Sequence, residues 1–180
     1  MGRARSAIAA RTSVDALEAS LLEAFASTKV KSETHEDFYD AMSFCRDNSE
    51  EFNGEEGHEG WYLWQVGDWA VAGDISMQFC ESQSALQKLS ESVGELVSAG
   101  IDTGFEFAHF SVYTNGQIKR LLTLEDDELV EDGFPVEAER GQQMNDFDEQ
   151  EAERLWTSYG LPTFEHDPLD GPFVSLAVKR

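Results

Sequence analysis

Apolar residues recur at helical spacing in four parts of the chain. Two of these parts lie near the start, at 12–25 and 34–45. Each begins with a threonine that is followed three residues later by an aspartate, a pair that favours a helix N-terminus. The other two parts span 82–99 and 148–159. Because the first two segments are adjacent and amphipathic, they predict an N-terminal helical hairpin.

Five further segments predict strands, because each is a short apolar or alternating run bounded by turn residues: 61–66, 69–74, 105–113, 117–124 and 173–178. Gly67-Asp68 joins the first two segments, and Asn115-Gly116 joins the next two. Both dipeptides favour the tight turns that close antiparallel hairpins.

The predicted elements follow the order α-α-β-β-α-β-β-α-β, in which hairpins replace the β-α-β units of a parallel sheet. This order predicts an α+β fold with a mostly antiparallel β-sheet of about five strands and with helices packed on one face. We expect a single acidic domain over residues 1–180, with residues 1–12 as a flexible start.

The first hairpin, WYLWQVGDWAVAGD (61–74), carries three of the four tryptophans. It follows EEFNGEEGHEG, a segment of charge and glycine, so two interpretations are open. The tryptophans form either an aromatic ligand pocket beside carboxylates or the core of a hairpin that is covered on both faces. The second interpretation is favoured, because burial on both faces explains the aromatic residues without a ligand.

Acidic residues outnumber basic residues by 36 to 13, which gives a formal net charge of −23. Residues 1–31 carry +2 and residues 32–180 carry −25. Three segments, 47–59, 125–139 and 146–153, hold six, eight and five carboxylates without any Lys or Arg. Such a surface repels phosphate backbones, which argues against direct binding to nucleic acid or to an anionic membrane. A basic protein partner fits this charge.

We expect a cytoplasmic protein. No apolar run reaches the eighteen or so residues that cross a bilayer. The start MGRARSAIAARTS offers only AIAA as an apolar stretch, which is too short for a signal peptide. Cys45 and Cys80 have no metal-ligand spacing and are expected to be buried thiols, since a disulfide between them would require export.

The chain contains none of the common sequence motifs of catalysis or cofactor binding. It has no G-x-S-x-G nucleophile, no phosphate-binding glycine loop and no H-E-x-x-H zinc pair. We therefore expect no enzymatic activity, no cofactor and no metal. Asp68, Asp74 and His109 are the best candidates for acid–base chemistry, but turn positions and a core histidine explain them as simply.

Arg120 lies on the same face of its predicted strand as Leu122 and Leu124. A guanidinium on an apolar face requires a partner, because an unpaired buried charge is very costly. Three explanations are open: a buried carboxylate partner, an edge strand, or a bend that turns the side chain to water.

Two acidic segments are candidates for contact with a basic partner, because each combines carboxylates with an aromatic side chain that has little local reason to be buried. Phe134-Pro135 could instead fold back against the sheet. The predicted partner-binding residues are Glu50, Glu51, Phe52, Glu55, Glu56, Glu59, Asp126, Asp127, Glu128, Glu131, Asp132 and Phe134.

The motifs GDWAVAGD, YTNGQIKRLLTLEDDELVEDGFPVEAE and FDEQEAERLWTSYGLP resemble those of small bacterial proteins of unknown function, some of which resemble toxin-neutralising immunity proteins. The resemblance covers about residues 61–162 and contains no catalytic signature. It implies a non-enzymatic protein that engages and neutralises a basic partner, such as a toxin or a nucleic-acid-binding protein. Two alternatives stay open: a small enzyme or ligand-binding domain with a pocket near Trp61, Trp64 and Trp69, and an acidic protein without a specific partner.

Overall fold

A computed structural model describes residues 4–141, 147–164, 166–168 and 170–180. The described residues form one antiparallel sheet of nine strands in the order β2-β9-β3-β4-β1-β5-β6-β7-β8. The strands are β1 (Ala4–Ala10), β2 (Thr28–His35), β3 (His58–Val66), β4 (Trp69–Asp74), β5 (Glu95–Asp102), β6 (Phe107–Thr114), β7 (Gln117–Glu125), β8 (Glu128–Gly133) and β9 (Phe173–Lys179). The helices are α1 (Val14–Ala24), α2 (Phe38–Asp47), α3 (Glu50–Asn53), α4 (Gln78–Glu81), α5 (Gln83–Val93) and α6 (Glu149–Thr157).

Helices cover both faces of the sheet, so its central strands are buried on both sides. Helices α1, α4 and α5 pack on one face, called here the α1 face, and α2 and α6 pack on the other, the α2 face. Trp61 and Leu63 contribute to the core of the α1 face, and Tyr62 and Trp64 to that of the α2 face. The α+β class is confirmed, but the prediction of helices on one face is wrong.

The predicted N-terminal helical hairpin is also wrong. Both helices are present, but β2 lies between them in the chain, and they pack on opposite faces of the sheet. Helix α2 is capped by Asp37 and not by Thr34, which lies in β2, and the Asp37 carboxylate accepts a hydrogen bond from the N–H of Tyr39 at 2.8 Å. Helix α1 is capped by Ser13 and not by Thr12.

The sheet has nine strands, and the prediction of about five is wrong. Four strands are not predicted from the sequence because they have no clear alternation of apolar and polar residues. Residues 4–10, which the sequence places in a flexible start, form β1 between β4 and β5 in the centre of the sheet. Its alanines and serine are small, so the sequence signal is weak although the strand is buried on both faces.

Strand β5 replaces the last five residues, 95–99, of the helix predicted over 82–99. Helix α5 ends at Gly94, which has a φ of +84° that favours glycine. The Gly94 N–H donates to the carbonyl of Ser90. Leu96 and Val97 are compatible with both periods, but as strand residues they point to opposite faces of the sheet. The two remaining strands, β2 and β8, are largely exposed edge strands.

Both predicted hairpins are confirmed. Strands β3 and β4 pair up to Val66 opposite Trp69, and β6 and β7 pair up to Thr114 opposite Gln117. In the second turn Asn115 and Gly116 both have positive φ, at +50° and +79°, as a type I′ turn requires.

Candidate functional site

The tryptophan hairpin belongs to the core. Trp61, Trp64 and Trp69 are each no more than 5% exposed, and they divide between the two faces of the sheet. The space left beside Trp64 measures about 10 Å³, which is too small for anything larger than one water molecule. The carboxylates that precede this hairpin therefore do not border an aromatic pocket formed by it.

A row of polar residues crosses the α1 face of the sheet near one end of its strands. Asp74 on β4 lies opposite Ser6 on β1, and Ser6 lies opposite Gly100 on β5. His109 on β6 follows opposite Gly100, and Thr123 on β7 lies opposite His109. Helix α4 covers this row, and a Cβ atom at Gly100 would collide with Sγ of Cys80 on that helix.

Asp74 is a buried carboxyl in the polar row. Burial raises the pKa of Asp74 to about 7, although hydrogen bonds from the Ser6 hydroxyl and the Gln78 N–H favour the ionised form. The Gln78 N–H lies 2.6 Å from Oδ2. Asp74 therefore ties β1 and the start of α4 to β4, and it changes charge close to neutral pH.

His109 is a second buried titratable group in the same row. Its ring nitrogens lie 2.9 Å from the Thr123 hydroxyl and 3.0 Å from the Ser111 hydroxyl. Burial lowers the pKa of His109 to about 4, so the ring is neutral at pH 7. Ser111 is fully buried. Asp74 lies three strands away, at roughly 14 Å by strand spacing, so the row does not form a Ser-His-Asp triad.

Beyond the polar row, the ends of β5 to β8 carry a group of carboxylates that we call the acidic rim. The β5–β6 loop and the β7–β8 turn meet α4 there, and these segments hold no Lys or Arg. Among the described residues, none of these carboxylates has an ion-pair partner within 4.0 Å. The acidic rim consists of Glu81, Asp102, Glu106, Glu125, Asp126, Asp127 and Glu128.

The acidic rim encloses a cavity of about 250 Å³, called here the rim pocket. Its apolar lining comes from Met77, Phe105 and Phe107, and its polar lining from four of the rim carboxylates. Phe107 lies parallel to the buried His109 ring at a centroid distance of 6.5 Å. Phe105 is 80% exposed at the mouth. Aromatic rings and carboxylates around one cavity favour a cation with an apolar stem.

Several carboxylates of the first predicted acidic segment, 47–59, have partners of their own in the chain. Glu55 lies 2.8 Å from Nδ1 of His58, which balances its charge only when the ring is protonated, and Glu59 lies 3.7 Å from the Arg180 guanidinium. The Phe52 ring is 55% exposed, and the Arg46 guanidinium lies 5.6 Å from its centroid. Glu50 accepts a hydrogen bond from a backbone N–H, and Glu51 and Glu56 are exposed.

The second group of predicted partner-binding residues, from Asp126 to Phe134, is more exposed and extends the acidic rim along β8. Asp126, Asp127 and Glu128 belong to the rim itself, and Asp132 is exposed farther along the strand. Phe134 is 87% exposed, so it does not fold back against the sheet. The two acidic segments reach the same end of the sheet, but β3 and β8 are six strand spacings apart, or roughly 29 Å.

Arg120 has the buried carboxylate partner that its position requires. It is 2% exposed, and its guanidinium donates to both carboxylate oxygens of the buried Glu139 at 2.7–3.1 Å. A further hydrogen bond of 3.0 Å reaches Glu131 on β8. Glu139 also accepts the N–H of Val136 at 2.9 Å. This network anchors β8 and the turn after it to β7.

Sequence reasoning missed the residues that complete the rim pocket. Phe105 is predicted as the first residue of a strand, but it lies in the β5–β6 turn. The run Asp102-Thr103-Gly104 carries the available signal, since these are turn residues and the Asp102 carboxylate accepts the Gly104 N–H at 2.9 Å. Its meeting with Glu81 and Glu125 depends on the strand order, which local sequence does not reveal.

Comparison with known proteins adds no constraint: no family model, curated protein or solved structure matches this chain. Within the described residues, no group of three or more His, Cys, Asp or Glu side chains is arranged to hold a metal ion. None of the helices described is long and apolar enough to span a membrane. Cys45 and Cys80 are both buried free thiols.

Proposed function

We propose that this protein is a non-enzymatic acidic binding protein that engages and neutralises a basic protein partner. The observation that carries the proposal is the acidic rim, where seven carboxylates lie together and none has an ion pair among the described residues. Unpaired like charges repel one another, and an approaching basic surface relieves that repulsion.

The rim pocket supports a protein as the partner, because it offers more than charge. Phe105 supplies an exposed aromatic anchor beside the carboxylates. A Lys or Arg side chain could lay its methylene stem against Phe107 and Met77 and place its charge among Glu81, Asp102 and Glu125. A solvation role alone does not require an aromatic-lined cavity among these carboxylates.

Neutralisation is the part of the proposal that comes from the resemblance to immunity proteins over residues 61–162. A protein that covers a cationic surface blocks the contact of that surface with phosphate groups. The same reasoning makes nucleic acid an unsuitable ligand for the acidic rim. A cytoplasmic setting belongs to the proposal, in which the buried thiols of Cys45 and Cys80 stay reduced.

The proposal is tested by affinity capture from a lysate of the source organism at low and at high salt, with identification by mass spectrometry. The rim variant carries Glu106→Gln, Asp126→Asn and Asp127→Asn, since asparagine tolerates the positive φ of the last two positions. The matched control carries Glu36→Gln, Asp40→Asn and Asp68→Asn, three exposed carboxylates outside both predicted partner-binding segments. Both variants change the formal charge from −23 to −20.

We expect wild type and control to capture the same basic protein at stoichiometric yield, and the rim variant to bind it at least about tenfold more weakly. High salt should weaken all three complexes. Capture of a scattered basic background, lost equally by both variants, would contradict the proposal and leave solubility as the role of the charge.

A further inference from the structure

Strand β8 is a regular free edge of the sheet. It pairs with β7 over six residues without a register shift. No strand of the described residues pairs with its other side, since β8 ends the strand order. The opposite edge, β2, differs because its ladder to β9 is interrupted between Lys29 and Lys31. An interruption of this kind twists an edge and hinders the addition of a further strand.

The turn before β8 determines which of its backbone groups are free. Asp126 and Asp127 both have positive φ, as in a two-residue hairpin turn. The N–H of Phe134 donates to the carbonyl of Lys119 at 3.1 Å, which continues the ladder. Because hydrogen-bonded and non-hydrogen-bonded pairs alternate, the N–H and C=O groups of Leu129 and Glu131 point away from β7.

The side chains of β8 give this free edge a chemical pattern. Glu128, Val130 and Asp132 share one face by alternation, and all three are exposed, Val130 by 56%. On the other face Leu129 packs against the core and Glu131 bonds to Arg120. A strand added beside β8 would therefore meet a carboxylate, an apolar residue and a second carboxylate at alternate positions.

We infer that β8 binds an extended basic segment of the partner as a tenth strand, with a basic-x-apolar-x-basic pattern facing Glu128, Val130 and Asp132. This inference rests on the proposed function and deepens it, because it states where and how the partner docks. Main-chain hydrogen bonds to Leu129 and Glu131 supply affinity, and the alternating side chains supply selectivity.

The charges of the chain favour a foreign segment over a second copy of the protein. Two β8 strands would oppose carboxylates to carboxylates, and each copy carries a formal charge of −23. Strand β2 has the complementary charge, but Lys29 and Lys31 are already paired with Glu18 and Glu33 at 2.5 Å. Contact between β8 and β2 of another copy would also be heterologous, so it would link copies head to tail into rings or open chains.

The inference is tested by titrating the full chain with synthetic peptides and following its backbone amides by NMR. The probe is Thr-Lys-Thr-Val-Thr-Lys-Thr, which carries the alternating pattern. The control Thr-Thr-Lys-Lys-Val-Thr-Thr has the same composition and charge without the alternation. We expect the probe to bind at least about fivefold more tightly and to slow hydrogen exchange at the N–H groups of Leu129 and Glu131.

Two pairs of variants separate side-chain charge from strand addition. Glu128→Gln with Asp132→Asn should weaken the probe at least about fivefold, whereas Glu36→Gln with Asp40→Asn should leave it unchanged. Glu131→Pro removes an outward N–H and should abolish exchange protection, whereas Glu131→Ala, which loses the same side chain, should retain it. If the proline variant unfolds, the first pair decides.

Equal affinity for the two peptides, or chemical shift changes at the rim pocket without protection on β8, would overturn the inference. Protection of β8 on concentrating the protein alone would identify a second copy as the occupant and would also overturn it. A captured partner that depends on Glu106, Asp126 and Asp127 but not on Glu128 and Asp132 would leave the proposed function intact. Failure of capture together with specific peptide binding would instead remove the proposed function.

Discussion

The two edge strands of the sheet, β2 and β8, limit the unwanted addition of further strands in different ways. Strand β2 carries Lys29 and Lys31 at an irregular edge, where each lysine is paired with a carboxylate of the same chain. Strand β8 carries three carboxylates and an exposed valine on a regular ladder. Charge and irregularity on an edge strand both discourage indiscriminate pairing. β2 uses both devices, whereas β8 uses charge alone and stays open to a strand of opposite charge.

The edges also differ in how they are attached to the fold. Strand β8 is held by the buried Arg120–Glu139 pair, which reaches Glu131 on the strand itself. The ion pairs of β2 involve side chains that are substantially exposed, such as Lys29 at 45%. An edge that has to keep its shape while it binds benefits from rigid support, because preorganisation lowers the cost of association.

The largest effect is expected from removing the buried carboxylate under the β8 edge. Glu139→Ala leaves Arg120 buried without its main partner, so the free energy of unfolding should fall by about 3–5 kcal/mol. Chemical denaturation of the variant and wild type measures this difference. The double variant Arg120→Met/Glu139→Leu should recover a large part of the loss, because it removes both charges. A loss below about 1 kcal/mol for Glu139→Ala would show that the pair does not support β8.

A smaller effect is expected on the pH dependence of stability, which comes from the buried Asp74 and His109 and not from the edge strands. The pKa of Asp74 is raised to about 7, so the folded state holds a proton that the unfolded state releases. The contribution of Asp74 to stability is therefore complete below about pH 4 and is lost as pH rises to about 7. The pKa of His109 is lowered to about 4, so its contribution is complete above about pH 6.5 and is lost as pH falls.

These two contributions oppose each other between pH 4 and 6.5, and single variants should reveal each one. Relative to wild type, Asp74→Asn should become more stable as pH rises through this window, by about 1–3 kcal/mol. His109→Gln should become less stable relative to wild type over the same window, by a similar amount. Denaturation at a series of pH values measures both differences. Parallel profiles for wild type and either variant would contradict the corresponding linkage.

The smallest effect is expected at the β2 edge. Lys29→Met removes the ion pair with Glu18, and Lys31→Met removes the pair with Glu33. Because both lysine side chains are about half exposed, at 45% and 55%, each substitution should change the free energy of unfolding by no more than about 1 kcal/mol. Denaturation at low and high salt measures it. A loss comparable to that of Glu139→Ala would mean that the two edges are supported alike.

The parts of the fold that follow from the sequence are those in which local chemistry determines the outcome. Asn115-Gly116 can adopt the positive φ values of a tight turn, and Asp148 caps α6 by accepting the Glu151 N–H at 2.8 Å. The tryptophan hairpin follows from two apolar runs on either side of Gly67-Asp68. Each of these signals lies within a few neighbouring residues.

The elements that the sequence does not reveal depend on partners that are distant in the chain. Ala7 and Ala9 are buried because β1 lies between β4 and β5 and these side chains join the core of the α2 face, and nothing within residues 4–10 indicates those neighbours. The acidic rim is similar, since Glu81, Asp102 and Glu125 meet only through the strand order. The need of Arg120 for a buried partner follows from its position, but the identity of Glu139 does not.

The most direct test measures how the association rate constant of the captured partner depends on ionic strength. Wild type is compared with the rim variant, Glu106→Gln/Asp126→Asn/Asp127→Asn, and with a β2 variant, Lys29→Gln/Lys31→Gln. If the acidic rim steers the partner, the rim variant should associate more slowly at low salt and show a shallower salt dependence, while the β2 variant keeps the wild-type slope or exceeds it. The same salt dependence for all three proteins would contradict a role for the rim in partner binding.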